Sequence, residues 1–289
     1  MAIRKFILAT DTGCDLAFDW LEAQTIRLVG MPLAMDDQEV DTAQEVDLVK
    51  FYTDLKNGVE AKTAAVSVGK YVEFFRELVG EGLPVLYVGL SSGLSSTLEN
   101  ARQALTILHE DLPGADVRIF DSLNGASGEG LVTYLAWQLR EEGLVIDEAI
   151  AKLSEIVLRV NGFYTVDDLW HLVKGGRLSK TAAFVGTALN IKPILDVTPS
   201  GELRVVARVR GRKKSVSELA TRILADLEDS ATVMIVSSGD VTDAEGLRDK
   251  VLQDARVKEV IMNQLGPTIG THTGTGALGV FALGKQVRE

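Results

Sequence analysis

The residues best suited to chemistry are hydroxyls crowded into one short stretch, Ser91-Ser92-Gly93-Leu94-Ser95-Ser96-Thr97. An apolar run at 85–90 precedes them and reads as a buried strand. Leu98, Ala101, Leu105 and Leu108 follow on one helical face. The hydroxyls therefore occupy the turn between a strand and a helix start. Free backbone N–H groups and the helix dipole both attract anions at such a place. Ser96 and Glu99 have capping-box spacing. The alternative is an ordinary strand–turn–helix with its cap.

Five further features could meet an anion or a proton. Asp11 lies in a polar turn after a strand at 5–9, where open α/β sheets bind ligands; it also suits a turn-holding role through local backbone bonds. Thr63 offers a hydroxyl to a ligand or to its own loop. Arg177 sits in Lys174-Gly175-Gly176-Arg177, and a second basic run joins Arg204, Arg208, Arg210, Arg212, Lys213 and Lys214 with no acid between its ends. Arginine's rigid fork suits carboxylate and phosphate; a wet hairpin face is the alternative. His272, between two threonines in a glycine-rich loop at 266–279, can orient an anion or carry a proton, or brace the loop.

Several chemistries fail on spacing. Gly69-Lys70 lacks the upstream glycine of a P-loop, and Tyr71 replaces the required hydroxyl residue. Gly274, Gly276 and Gly279 match a dinucleotide pattern, but a strand rather than a helix follows, and no acidic residue lies far enough on. Ser95 shares the first three positions of a nucleophile elbow without the last glycine. No cluster has structural-zinc spacing, and Cys14 is the single cysteine, so no intrachain disulfide forms.

The elements that must position these groups alternate between strand and helix in the first half. Strands are expected at 5–9, 85–90 and 117–120, and helices at 46–55, 68–79, 129–140 and 146–158, with Ser67 as an N-cap. Runs at 26–35 are strand-like, and 36–39 reads as a turn. That order implies a mostly parallel sheet flanked by helices, with Asp11, the serine turn and Asp121-Ser122 beyond one edge. From residue 161 the character changes. Strands at 163–166, 193–197, 203–209, 232–237 and 257–262 mix with helical stretches at 167–173, 181–190, 215–227 and 243–252. The expectation is an N-terminal α/β domain over 1–160 and an α+β domain over 161–289.

With 289 residues, 46% of them hydrophobic, the chain can build a substantial core. Its net charge of −11 disfavours nucleic acid and anionic membranes. The apolar run before Asp11 is too short for a signal peptide, and no stretch has the roughly 20 apolar residues of a spanning helix. The expected location is the cytoplasm.

Six separated motifs then coincide: TDTGCDL at 10–16, KTAAVS at 62–67, SSGLSST at 91–97, DSLNGASGEG at 121–130, VKGGRLS at 173–179 and IGTHTGTGALG at 269–279. In their order and spread the chain resembles the DegV family of bacterial fatty-acid-binding proteins. The resemblance implies two α/β domains with a lipid between them. It implies a long-chain fatty acid whose carboxylate is hydrogen-bonded by Thr63 and Ser95, with His272 and Arg177 beside it. It also implies a carrier for a fatty acid kinase in phospholipid synthesis, with ATP and Mg²⁺ held by a separate subunit and no cofactor or metal of its own. Asp11, Ser92 and Ser122 would then support the site from behind, and Arg210, Lys213 and Lys214 would dock the kinase. The sequence departs from the family pattern at Ala64-Ala65-Val66, where the family often has Ser-Gln-Pro. It departs again at Thr12, Ser96 and Thr275, where serine, glycine and proline are common. The competing readings are an esterase or thioesterase using Ser95, and a lipid-responsive regulator.

Overall fold

The computed structural model describes residues 4–167, 169–183, 190–239 and 241–289. The first half runs β1 (Ile7–Asp11), α1 (Phe18–Ala23), β2 (Arg27–Val29), β3 (Leu33–Met35), β4 (Gln38–Val40), α2 (Leu48–Lys56), β5 (Ala61–Thr63), α3 (Val68–Val79), β6 (Val85–Gly89), α4 (Thr97–Asp111), β7 (Val117–Asp121), α5 (Ser127–Glu141) and α6 (Ile146–Ile156). β2, β1, β6 and β7 form one sheet, in that order, and every pairing is parallel. β1 and β6 are buried along their whole length, as strands covered on both faces should be.

The second half runs β8 (Val160–Thr165), α7 (Trp170–Lys174), α8 (Lys180–Ala183), β9 (Ile191–Val197), β10 (Leu203–Arg210), α9 (Arg212–Ala225), β11 (Ala231–Ser237), α10 (Thr242–Val251), β12 (Val257–Gln264), α11 (Pro267–Thr273) and β13 (Leu278–Leu283). Its sheet has the order β10-β9-β8-β13-β11-β12, antiparallel except for β11 with β12. The expected contrast between a parallel and a partly antiparallel half is thus present. The boundary expected at residue 160 falls at the start of β8. Of the helical stretch expected at 181–190, residues 184–189 lie outside the described residues.

Side-chain alternation sorts the molecule into layers. Ile7 and Ala9 of β1 pack with Tyr71, Phe75, Leu98 and Ala101 of α3 and α4. Phe6 and Leu8 point the other way, into a core that contains Leu131 and Val132 of α5 and reaches Met234, Val236 and Phe281 of the second sheet. That sheet's outer face packs Val233, Ile235 and Val280 against Leu219 and Ile223 of α9 and Leu247 of α10. α5 therefore lies between the two sheets and belongs to the core of both.

Several local expectations are corrected. β1 continues through Asp11 rather than ending at Ala9. A small sheet of order β4-β3-β5 appears where the sequence suggested only strand-like runs and a loop. The turn there is confined to Asp36-Asp37, whose φ values of 45° and 64° are those of a tight hairpin. Ser96 makes no capping bond, because its backbone is not extended (φ −77°, ψ 7°); the hydroxyl of Ser95 accepts from Thr97 N instead, at 3.2 Å. His272 is not in a loop but on α11, a helix with Pro267 in its first turn and Gly274 just past its end. Ser67 does cap α3, accepting from Lys70 N at 3.2 Å. Among the described residues no helix is long and apolar enough to cross a membrane.

Candidate functional site

The site is built around a cavity between the inner face of the second sheet and the segments that follow β2, β6 and β7. Its empty space is about 850 Å³, part of it open to solvent. Val236, Gly279, Tyr164, Val197 and Phe281 line one side, and Met31, Leu90, Leu94, Gly125 and Ala126 the other. The polar part of the wall includes Thr63 at the end of β5, Ser95 before α4, Arg177 after α7 and His272 on α11, together with Thr165, Thr268 and Thr273. The first four are the residues that the sequence put forward as ligand-binding. They lie 209 positions apart at the extremes, and folding brings the two outermost into direct contact. Thr63 Oγ1 and His272 Nε2 are 2.6 Å apart.

Each of the four is held by its surroundings. Arg177 donates from Nε to Leu94 O (3.0 Å) and from Nη1 to Gly175 O (2.6 Å), which ties the Gly-Gly turn to the serine loop. Its Nη2 makes no hydrogen bond with the described residues. Burial pushes the Arg177 guanidinium below its ordinary value; at neutral pH arginine keeps its charge regardless. Gly175 passes so close to His272 that a Cβ there would stand 2.3 Å from Nδ1. The glycine is thus required for the imidazole to occupy its place. Burial, followed by repulsion from Arg177 and His171, pushes the His272 imidazole down to about 4. The ring is neutral at pH 7 and acts through a directed N–H rather than through charge.

Asp11 does not reach the cavity wall. It is fully buried and accepts from Gly13 N (2.8 Å), Tyr87 Oη (2.7 Å) and Leu90 N (3.1 Å). Tyr87 bonds Tyr71, which bonds Thr97 at the first turn of α4 (2.6 and 2.9 Å). Asp11 thereby fixes the strand end and helix start that flank Ser95, so its turn-holding role is what the geometry displays. Ser122 is buried and bonds both the N–H and the carbonyl of Asn124. Ser92 is exposed, with its backbone N–H on Asp121 (3.3 Å). Neither serine is in the wall of the cavity. Ser91 carries a link that the sequence did not single out: its hydroxyl donates to Gly201 O at 2.9 Å, joining the serine loop to the β9–β10 turn.

Sequence reasoning also missed Glu129, wholly buried on α5 with Thr10 donating to it at 3.1 Å. Burial, and then the neighbouring charge of Asp11, push its carboxyl well above the usual range. An acid at the start of an otherwise apolar helix was the available signal. Leu94 and Ile269, both in the wall, were legible only as apolar residues within their motifs.

The basic run divides in two. Arg204 pairs with Asp196 (2.8 Å), and Arg212 bridges Asp243 and Gly276 O (both 2.7 Å); these brace the fold. Arg210, Lys213 and Lys214 are exposed and in no ion pair with the described residues.

Chemically, the cavity suits an amphipathic anion. Its body is apolar, and Arg177 is the sole permanently charged residue in the wall among the described residues. No grouping of potential metal ligands occurs among them. A serine-nucleophile arrangement is not formed: Ser95 Oγ is bonded to Thr97 N, while the imidazole Nε2 is bonded to Thr63.

A family model described as an uncharacterised protein of the DegV family matches residues 5–285. A DegV domain-containing protein of Clostridium perfringens is 37% identical over 288 residues, covering 98% of both chains. Among solved structures, a fatty-acid-binding DegV family protein from Thermus thermophilus superposes with a TM-score of 0.88 at 28% identity, over 98% of this chain and 100% of that one. A fatty-acid-binding DegV family protein from Streptococcus agalactiae gives 0.83 at 27% identity, with the same coverage.

Proposed function

The chain belongs to the DegV family, and from that premise we propose that it is a cytoplasmic carrier of a long-chain fatty acid. The acyl tail occupies the cavity between the sheets, and the carboxylate rests among Thr63, Ser95, Arg177 and His272. The observation that carries this reading is the cavity's asymmetry: an apolar body with its hydroxyls, imidazole and guanidinium converging from separate elements. Tail burial supplies the affinity, at roughly 0.8 kcal/mol per CH₂. The polar groups compensate the carboxylate as water leaves it. With its proton on Nε2, neutral His272 donates to Thr63 Oγ1, and the Thr63 hydroxyl hydrogen then points at the ligand. Ser95 donates a second hydroxyl hydrogen, and Nη2 of Arg177 is left for the anion. The Thermus thermophilus and Streptococcus agalactiae proteins are described as fatty-acid-binding, which supports the same ligand class here.

The carrier presents its carboxylate to a separate kinase subunit, which brings ATP and Mg²⁺, and it leaves with the acyl phosphate for phospholipid synthesis. Arg210, Lys213 and Lys214 form the docking face. Lys213 and Lys214 stand in the first turn of α9, where cations are opposed by the helix dipole. Their position is explained better by an acidic partner than by stability. Asp11 and Ser122 hold the loops that shape the head-group end. The experiment is reconstitution of the lipid-loaded chain with a bacterial fatty acid kinase subunit, ATP and Mg²⁺, with acyl phosphate trapped by hydroxylamine. ATP-dependent hydroxamate that requires both proteins supports the reading. Hydrolysis of an added acyl ester or thioester to free fatty acid without ATP, lost in Ser95→Ala, would point to the Ser95 esterase instead.

A further inference from the structure

We infer that Phe281 sets the depth of the acyl cavity and so selects the length of the chain it holds; this rests on the fatty-acid reading above. Two cavity-lining positions of β13, Gly279 and Phe281, can be followed rung by rung across the sheet. Gly279 is paired with Tyr164 on one side and Val236 on the other, and all three line the cavity. Two residues on, Phe281 is paired with Gly162 and Met234. Phe281 lines the cavity and neither of its partners does, so along this strand the space ends on its ring.

The ring is seated by missing side chains. A Cβ on Gly162 would stand 2.5 Å from Phe281 Cδ1, one on Gly128 2.8 Å from the same atom, and one on Gly279 2.9 Å from Cε2. Tyr164 stacks on it with centroids 6.4 Å apart and planes at 22°. Phe281 is therefore packed against bare backbone from β8, β13 and α5. Two consequences follow. A smaller side chain leaves a space that glycines cannot collapse into, and an acyl chain can. A larger one finds no room behind it and must advance into the cavity. Each methylene that enters new apolar space is worth roughly fourfold in affinity, so a modest change in depth re-ranks ligands.

The test uses full-length wild type, Phe281→Leu, Phe281→Ala and Phe281→Trp. Each is delipidated, checked for folding by circular dichroism, and incubated with an equimolar mixture of saturated fatty acids of graded length. The retained pool is extracted and measured by mass spectrometry. The expected result is a shift to longer chains in the leucine and alanine variants and to shorter chains in the tryptophan variant. Leucine is the conservative arm should alanine fail to fold. Wild-type binding with the same length preference in folded Phe281→Leu and Phe281→Trp would overturn this inference alone. Wild type that retains no fatty acid would overturn the underlying reading and this inference with it.

Discussion

Replacing Thr63 with valine keeps the shape of the side chain and removes its hydroxyl. Two interactions are then at stake. One is the 2.6 Å bond to His272 Nε2. The other is the donation to the carboxylate proposed above. Loss of the first leaves a half-buried imidazole N–H without its acceptor, which costs roughly 1–3 kcal/mol of stability but affects free and loaded protein alike. Loss of the second acts on binding only. A hydrogen bond to a charged group is worth roughly 1.5–3 kcal/mol, which predicts a roughly ten- to hundredfold weaker affinity. The assay is calorimetric titration of delipidated wild type and Thr63→Val with a fatty acid, and in parallel with the fatty alcohol of the same length. The alcohol has the same tail and no charge, so its affinity should change far less than that of the acid. An unchanged affinity for the acid in the folded variant would refute the head-group assignment. Equal losses for acid and alcohol would show that the mutation damages the tail cavity rather than a carboxylate contact.

Other expectations follow from the same geometry. Gly175→Ala places a methyl 2.3 Å from His272 Nδ1, displaces the ring, and should weaken acid binding by roughly tenfold or more in the same titration. His272 is held near 4 in the folded chain against an ordinary value of about 6.5. Its lowered value means that the folded state resists protonation. The associated stability is complete above about pH 6.5 and is lost as pH falls toward 4, by at most roughly 3 kcal/mol. Denaturant midpoints of wild type and His272→Gln should therefore differ in slope between those pH values; parallel curves would contradict the buried neutral ring. Alanine at Arg210, Lys213 and Lys214 together should leave bound lipid intact while slowing kinase coupling, most visibly at low salt. Lost lipid with normal coupling would reverse that assignment.

How much of this was legible beforehand depended on the range of the interaction. β6, α4 and β7 were readable because their apolar periodicity is local, and the serine turn between β6 and α4 marked the loop that brings Leu94 and Ser95 to the cavity wall. Which serine met the helix was not readable, since it depends on the backbone angles of Ser96. The helix carrying His272 was hidden by its glycines, although Pro267 and Gly274 had the spacing of a helix start and stop. β5, which delivers Thr63, is three residues long and exists only by pairing with β3; nothing within Ala61–Thr63 announces it. Glu129 and Phe281 were missed for a related reason. The first acquires meaning from Thr10 and Asp11, more than a hundred positions away, and the second from glycines on two other elements.

The most direct measurement is the composition of the chain as purified from a cell, read twice. Solvent extraction reports free lipid, and denaturing mass spectrometry reports the mass of the polypeptide. The account predicts near-equimolar free fatty acid in the extract and an unmodified polypeptide mass, with the lipid content depleted in a Thr63→Val, Ser95→Ala double variant that remains folded. An extract without fatty acid, or an acyl group covalently retained on Ser95, would contradict it.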